Sequence, residues 1–90
     1  MEERAIRGKV KEIIRQIAET NELEIGAIDD DDAIVEGLGF ASLDVATLVA
    51  RLEITLGVDP FAANLAVITE IRTVGEISDV YIKCLEAEEG

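Results

Sequence analysis

A chain of 90 residues, 49% hydrophobic and only 3% aromatic, has room for one small domain over residues 1–90, with a core built from Ile, Leu, Val and Ala. Its net charge of −12 repels phosphate backbones and anionic headgroups, which excludes nucleic acid and membrane surfaces as partners and favours basic protein surfaces. One cysteine and no histidine leave neither an internal disulfide nor a Cys/His metal cluster, and make Cys84, set in an apolar helical pattern, a core thiol.

The start, Met1-Glu2-Glu3-Arg4, lacks the charged-then-apolar layout of a secretory signal. No apolar run approaches the roughly 20 residues of a membrane span. A cytoplasmic protein is expected. Ile6, Val10, Ile13, Ile14 and Ile17 recur at i, i+4, i+7, i+8 and i+11, which predicts an amphipathic helix one from about residue 3 to 19. Charge is segregated at this point. Residues 1–19 hold five basic and four acidic side chains, a balance of +1, and residues 20–90 hold three and sixteen, a balance of −13.

Thr20 to Gly39, with Asn21, Gly26, the run Asp29 to Asp32, and Gly37, reads as a long loop with a helical turn around Ala33 to Glu36. Leu23, Ile25, Ile28, Ile34 and Leu38 are expected to pin it to the core. The aspartate run does not fit a calcium loop. With Asp29 in the first position, Ile34 stands where the glycine is needed and Phe40 where the glutamate is needed. Helix two is predicted to begin at Ser42 and to present Val45, Leu48, Val49, Leu52 and Leu56 on one face, with Gly57 as its C-terminal cap and Pro60 beyond. A short third helix is expected over Ala62 to Ile68. Thr73 and Glu76 form a T-x-x-E capping box before Val74, Ile77, Val80, Tyr81 and Cys84, so a fourth helix should run to about Leu85, with a frayed tail from Glu86 to Gly90. The whole is an all-α four-helix bundle with a long first connection.

Enzymatic chemistry finds little support. Ser42 would need a base, imidazole is absent, and Lys9, Lys11 and Lys83 are scattered. No glycine-rich phosphate cradle is present. Ser42 has two readings: an N-cap whose hydroxyl accepts from a first-turn N–H, or an exposed chemical handle beside the positive end of the helix dipole.

The stretch LGFASLDVATLVARLEITLG, followed by IRTVGEISDVYI, resembles the acyl carrier protein family, with its L-G-x-D-S-L-D motif, glycine-terminated helix and final T-V-x-[DE] helix start. The resemblance covers nearly the whole chain. It implies a bundle of acyl-carrier type and a 4'-phosphopantetheine arm on Ser42, installed from coenzyme A by a phosphopantetheinyl transferase. The arm's thiol would hold acyl groups as thioesters. A monomeric, non-catalytic carrier would then deliver them to synthases or transferases of fatty acid, polyketide or related pathways through basic docking surfaces that meet Asp44 and Glu53. Val45, Leu52, Ile71 and Ile77 are the residues nominated for an acyl cavity. The chain departs from the family at Ala41, where an aspartate is usual, and at Thr47, where glutamate is common. The connection before Thr73 is also longer. These departures point to a specialised carrier. The alternative is an unmodified adaptor that kept the bundle and binds a basic protein partner.

Overall fold

The 3.6-residue spacing of the first segment folds as α1, Glu3–Thr20, in a computed structural model that describes residues 2–60 and 71–89. Its apolar face, Ile6, Val10, Ile13, Ile14 and Ile17, is entirely buried, and Ala18 joins it. The helix ends in a Schellman motif. Leu23 N–H donates to the Ala18 carbonyl at 2.8 Å and Glu22 N–H to that of Glu19 at 3.2 Å, with Glu22 in the left-handed region at φ 59°. Glycine usually fills that position because a Cβ is strained there.

The next helix, α2, spans Ser42–Leu56 and ends at Gly57, whose φ of 74° and N–H to Glu53 carbonyl bond confirm the stop signal. It buries Leu48, Leu52 and Leu56, leaving Val45 and Val49 half-buried. The last described helix, α3, spans Val74–Glu89 and buries Val74, Ile77, Ser78, Tyr81, Ile82 and Cys84. It runs past Leu85 through residues expected to fray, a stretch of Glu and Ala that favours helix and meets no breaker before Gly90. Ser78, the buried polar residue, donates to the Val74 carbonyl at 2.9 Å. The short helix expected over 62–68 lies outside the described residues, so the architecture stands as three described helices where four were expected. Among those residues there is no strand beyond a single Ala33–Thr73 bridge. No described helix is long and apolar enough to cross a membrane.

Both α2 and α3 pack against α1, and the long loop is stitched to the start of α3. A helix begins with N–H groups that lack intrahelical partners. Here Val74 N–H donates to the Asp32 carbonyl at 3.0 Å and Gly75 N–H to that of Asp30 at 2.8 Å. Glu76 N–H donates to Thr73 Oγ1 at 3.2 Å, and Thr73 N–H returns a bond to Glu76 Oε1 at 3.0 Å, which is the expected capping box. The aspartate run therefore serves through its backbone. Gly75 permits the approach, since a Cβ there would sit 3.0 Å from the Asp30 carbonyl oxygen. Beyond it, residues 34–38 form the expected helical turn, with Gly37 N–H on the Ala33 carbonyl at 2.8 Å. Ile28, Ile34, Leu38 and Phe40 anchor the loop in the core.

The segregated charges meet across this loop. Arg7 on α1 pairs with Glu3 at 3.0 Å, with Asp30 at 3.7 Å and with Asp79 of α3, while Lys11 reaches Asp30 at 3.3 Å. Hydrogen bonds donated to the Glu3 and Asp79 carboxylates hold the guanidinium more firmly protonated than usual. Single exposed pairs stabilise by less than ~1 kcal/mol. Here one cation spans two helices and the loop.

Two outcomes test this packing. Glu22→Gly should raise the unfolding free energy by about 0.5–1 kcal/mol by relieving the left-handed strain, read as a higher melting temperature; a lower one would contradict the Schellman geometry. Tyr81 is wholly buried, and its hydroxyl donates to the Val49 carbonyl at 3.4 Å. Burial, with Asp59 and Glu53 nearby, pushes the phenol well above its ordinary 10.0. The unfolded chain alone then ionises near that value, so this contribution to stability is complete below pH 10 and is lost as pH rises beyond it. Denaturant midpoints should fall from pH 9 to pH 11, and tyrosinate absorbance should appear together with unfolding.

Candidate functional site

Chain entry into α2 is fixed from the loop side. Gly39 turns at φ 80°, and Phe40, 1% exposed, plugs the core while its N–H donates to the Ile34 carbonyl at 3.2 Å. Phe40 and Val45 then occupy the positions of a hydrophobic staple around the first turn. The N-cap is Ala41, at φ −86° and ψ 171°. This corrects the reading of Ser42 as the cap. Ser42 is the first helical residue, exposed, and takes no part in capping.

Ala41 carries no acceptor, so half of a capping box is missing. The other half is present, since Asp44 Oδ2 accepts from Ala41 N–H at 2.9 Å. Its second oxygen accepts from Asn21 Nδ2 at 2.6 Å, tying the end of α1 to the start of α2. Asp44, nominated for docking, is thus half-buried and engaged on both oxygens within the chain. Glu53, the other docking nominee, is exposed on α2.

Beside Ser42 lies a groove of about 640 Å³. Ser42, Val45 and Ala46 of α2 form one side, Ala33, Val35 and Glu36 of the loop another, and Ile71 and Arg72 before α3 a third. Of the four residues nominated for an acyl cavity, Val45 and Ile71 line this groove. Leu52 and Ile77 are 0% exposed and sit in the closed core. Sequence reasoning missed the loop side and Arg72. The signal for the loop side was the helical turn, but nothing in the sequence reports that Ile34 N–H would bond the Arg72 carbonyl at 2.8 Å and draw the two segments together.

An exposed hydroxyl beside an apolar groove with a cation on its wall has the chemistry to accept a long anionic prosthetic group. The family model described as a phosphopantetheine attachment site matches residues 8–80. The chain belongs to the acyl carrier protein family. Its expected covalent cofactor is 4'-phosphopantetheine. The carrier is similar to the solution structure of MacpD, an acyl carrier protein from Pseudomonas fluorescens involved in mupirocin biosynthesis. The likeness has a TM-score of 0.75 and 34% identity, and covers 88% of this chain and 69% of that one. No curated protein matches. Carriers of this kind are modified by a transferase and work with biosynthetic enzymes.

The first turn of the carrier's α2 is directly testable. Ala41→Ser should complete the capping box and raise stability by about 1 kcal/mol. Asp44→Ala should lower it by about 1–2 kcal/mol through the loss of two hydrogen bonds, whereas Glu53→Ala should stay within ~0.5 kcal/mol. Equal effects at 44 and 53 in chemical denaturation would contradict the capping role of Asp44.

Proposed function

We propose that this chain carries acyl intermediates as thioesters on a 4'-phosphopantetheine arm attached at Ser42, and delivers them within a specialised biosynthetic pathway. The observation that carries this reading is the uncommitted, exposed Ser42 hydroxyl at the first residue of α2, opening onto the groove, inside a segment matched by a phosphopantetheine attachment model. The protein acts as the substrate of a phosphopantetheinyl transferase and tethers cargo without making bonds. Tethering raises the local concentration of the acyl group at any enzyme surface on which the carrier docks.

MacpD, which serves mupirocin biosynthesis, supports a specialised pathway over housekeeping fatty acid synthesis. So does the surface around Ser42. Leu43 is 77% exposed and Ile54 83% exposed on α2, so synthases and acyltransferases meet apolar side chains here as well as the acid of Glu53. Ala41 removes a charge that transferases of the family commonly meet. Because one surface pair is worth less than ~1 kcal/mol, Ala41→Asp should speed loading by less than about fivefold.

Incubation with coenzyme A, magnesium and a broad-specificity transferase should add one phosphopantetheine, read by intact mass, and Ser42→Ala should abolish the addition. A protein that keeps its apo mass with every transferase, while still binding a basic partner, would contradict the carrier reading and leave the unmodified adaptor in its place.

A further inference from the structure

We infer that Arg72 is the anion anchor of the groove, and that its guanidinium holds the phosphodiester through which the arm joins Ser42. This rests on the carrier reading above and adds to it a residue that positions the arm. Arg72 is the one cation among the described residues that line the groove, on the same groove as Ser42. Its guanidinium has no ion pair or hydrogen bond among the described residues. Of the five cations of α1, four are engaged within the chain, Arg7 and Lys11 on acids, Lys9 on Glu12, and Arg15 on the Gly26 carbonyl, and Arg4 does not line the groove.

Need and means coincide at this point. Loading Ser42 adds a fixed negative charge to a chain already at −12, beside Glu36 on the groove wall and with Asp44 in the same helical turn. Those acids repel it. A free guanidinium on another wall of the groove offsets them, and its planar fork matches phosphate oxygens better than an ammonium does. The backbone of Arg72 is hydrogen-bonded through both its carbonyl and its N–H. Its carbonyl accepts from Ile34 N–H at 2.8 Å and its N–H donates to Glu76 Oε1 at 3.3 Å, while Thr73 bridges Ala33. An anchor at this position would lay the first part of the arm against Val45, Ala46 and Ile71 instead of letting it sweep solvent.

The test is nitrogen-15 NMR of the full chain in apo form, with the free-thiol arm, and with butyryl and succinyl thioesters on the arm. The Arg72 Nε–Hε resonance should move on loading, by the same amount for free-thiol and butyryl forms, and return toward its apo position in about 1 M salt, where the Debye length falls to ~3 Å. In Arg72→Gln the loading shifts of the Val45 and Ala46 amides should be lost, with Arg72→Lys intermediate. A response confined to the succinyl form would assign Arg72 to a cargo carboxylate and overturn the proposal. An unmoved Arg72 in a protein whose mass shows the arm would overturn it as well. A mass that stays apo would instead overturn the carrier reading, and this assignment would fall with it.

Discussion

The start of α3 borrows its missing hydrogen-bond acceptors from the aspartate loop, and the groove exists because of that loan. Val74 and Gly75 donate to the carbonyls of Asp32 and Asp30, and Ile34 donates back to Arg72. A net hydrogen bond stabilises by only about 1 kcal/mol, but leaving a helix-end donor buried and unpaired costs about 1–3 kcal/mol each. The loop is therefore held where α3 needs it. Because residues 33–36 and 71–72 are brought side by side, a third wall of α2 residues closes a trough at Ser42. Remove the pairing and the serine would still begin a helix, but without a groove beside it.

Charge follows the same geometry. Basic residues near the start and acids downstream read, in the sequence, as a sum and a slope. In three dimensions Arg7 and Lys11 reach over to Asp30, and Arg7 continues to Asp79, so the cations of α1 stabilise the loop that feeds α3. What remains unpaired is distributed unevenly. Of the cations without a partner among the described residues, Arg72 is the one on the groove wall, while Glu53 and the apolar Leu43 and Ile54 face solvent along α2. Asp44 and Glu53 are the acids of α2.

The legible parts of the fold were those written in local chemistry. A 3.6-residue apolar period located α1, Gly57 stopped α2, and Thr73 with Glu76 opened α3. What could not be read was geometry that joins distant segments. The N-cap fell one residue early, because Ala41 can adopt cap backbone angles without offering a capping side chain. Of Val45 and Leu52, seven residues or about 10.5 Å apart on one helical face, periodicity cannot say which stands over the trough and which is sealed beneath it. Nothing in the sequence announces Asn21 as the neighbour of Asp44 either. Phe40 and Ile82 entered the core unremarked, and Arg72 became part of the site only through the loop pairing.

The account stands on the arm being present at one serine in the protein as its own cells make it. Fragmentation mass spectrometry of the intact native chain locates any such group residue by residue. Phosphopantetheine is expected on Ser42, with an acyl thioester on a fraction of the molecules, and all other serines and threonines unmodified. A native chain bare at Ser42, in cells that load their other carriers, would contradict it.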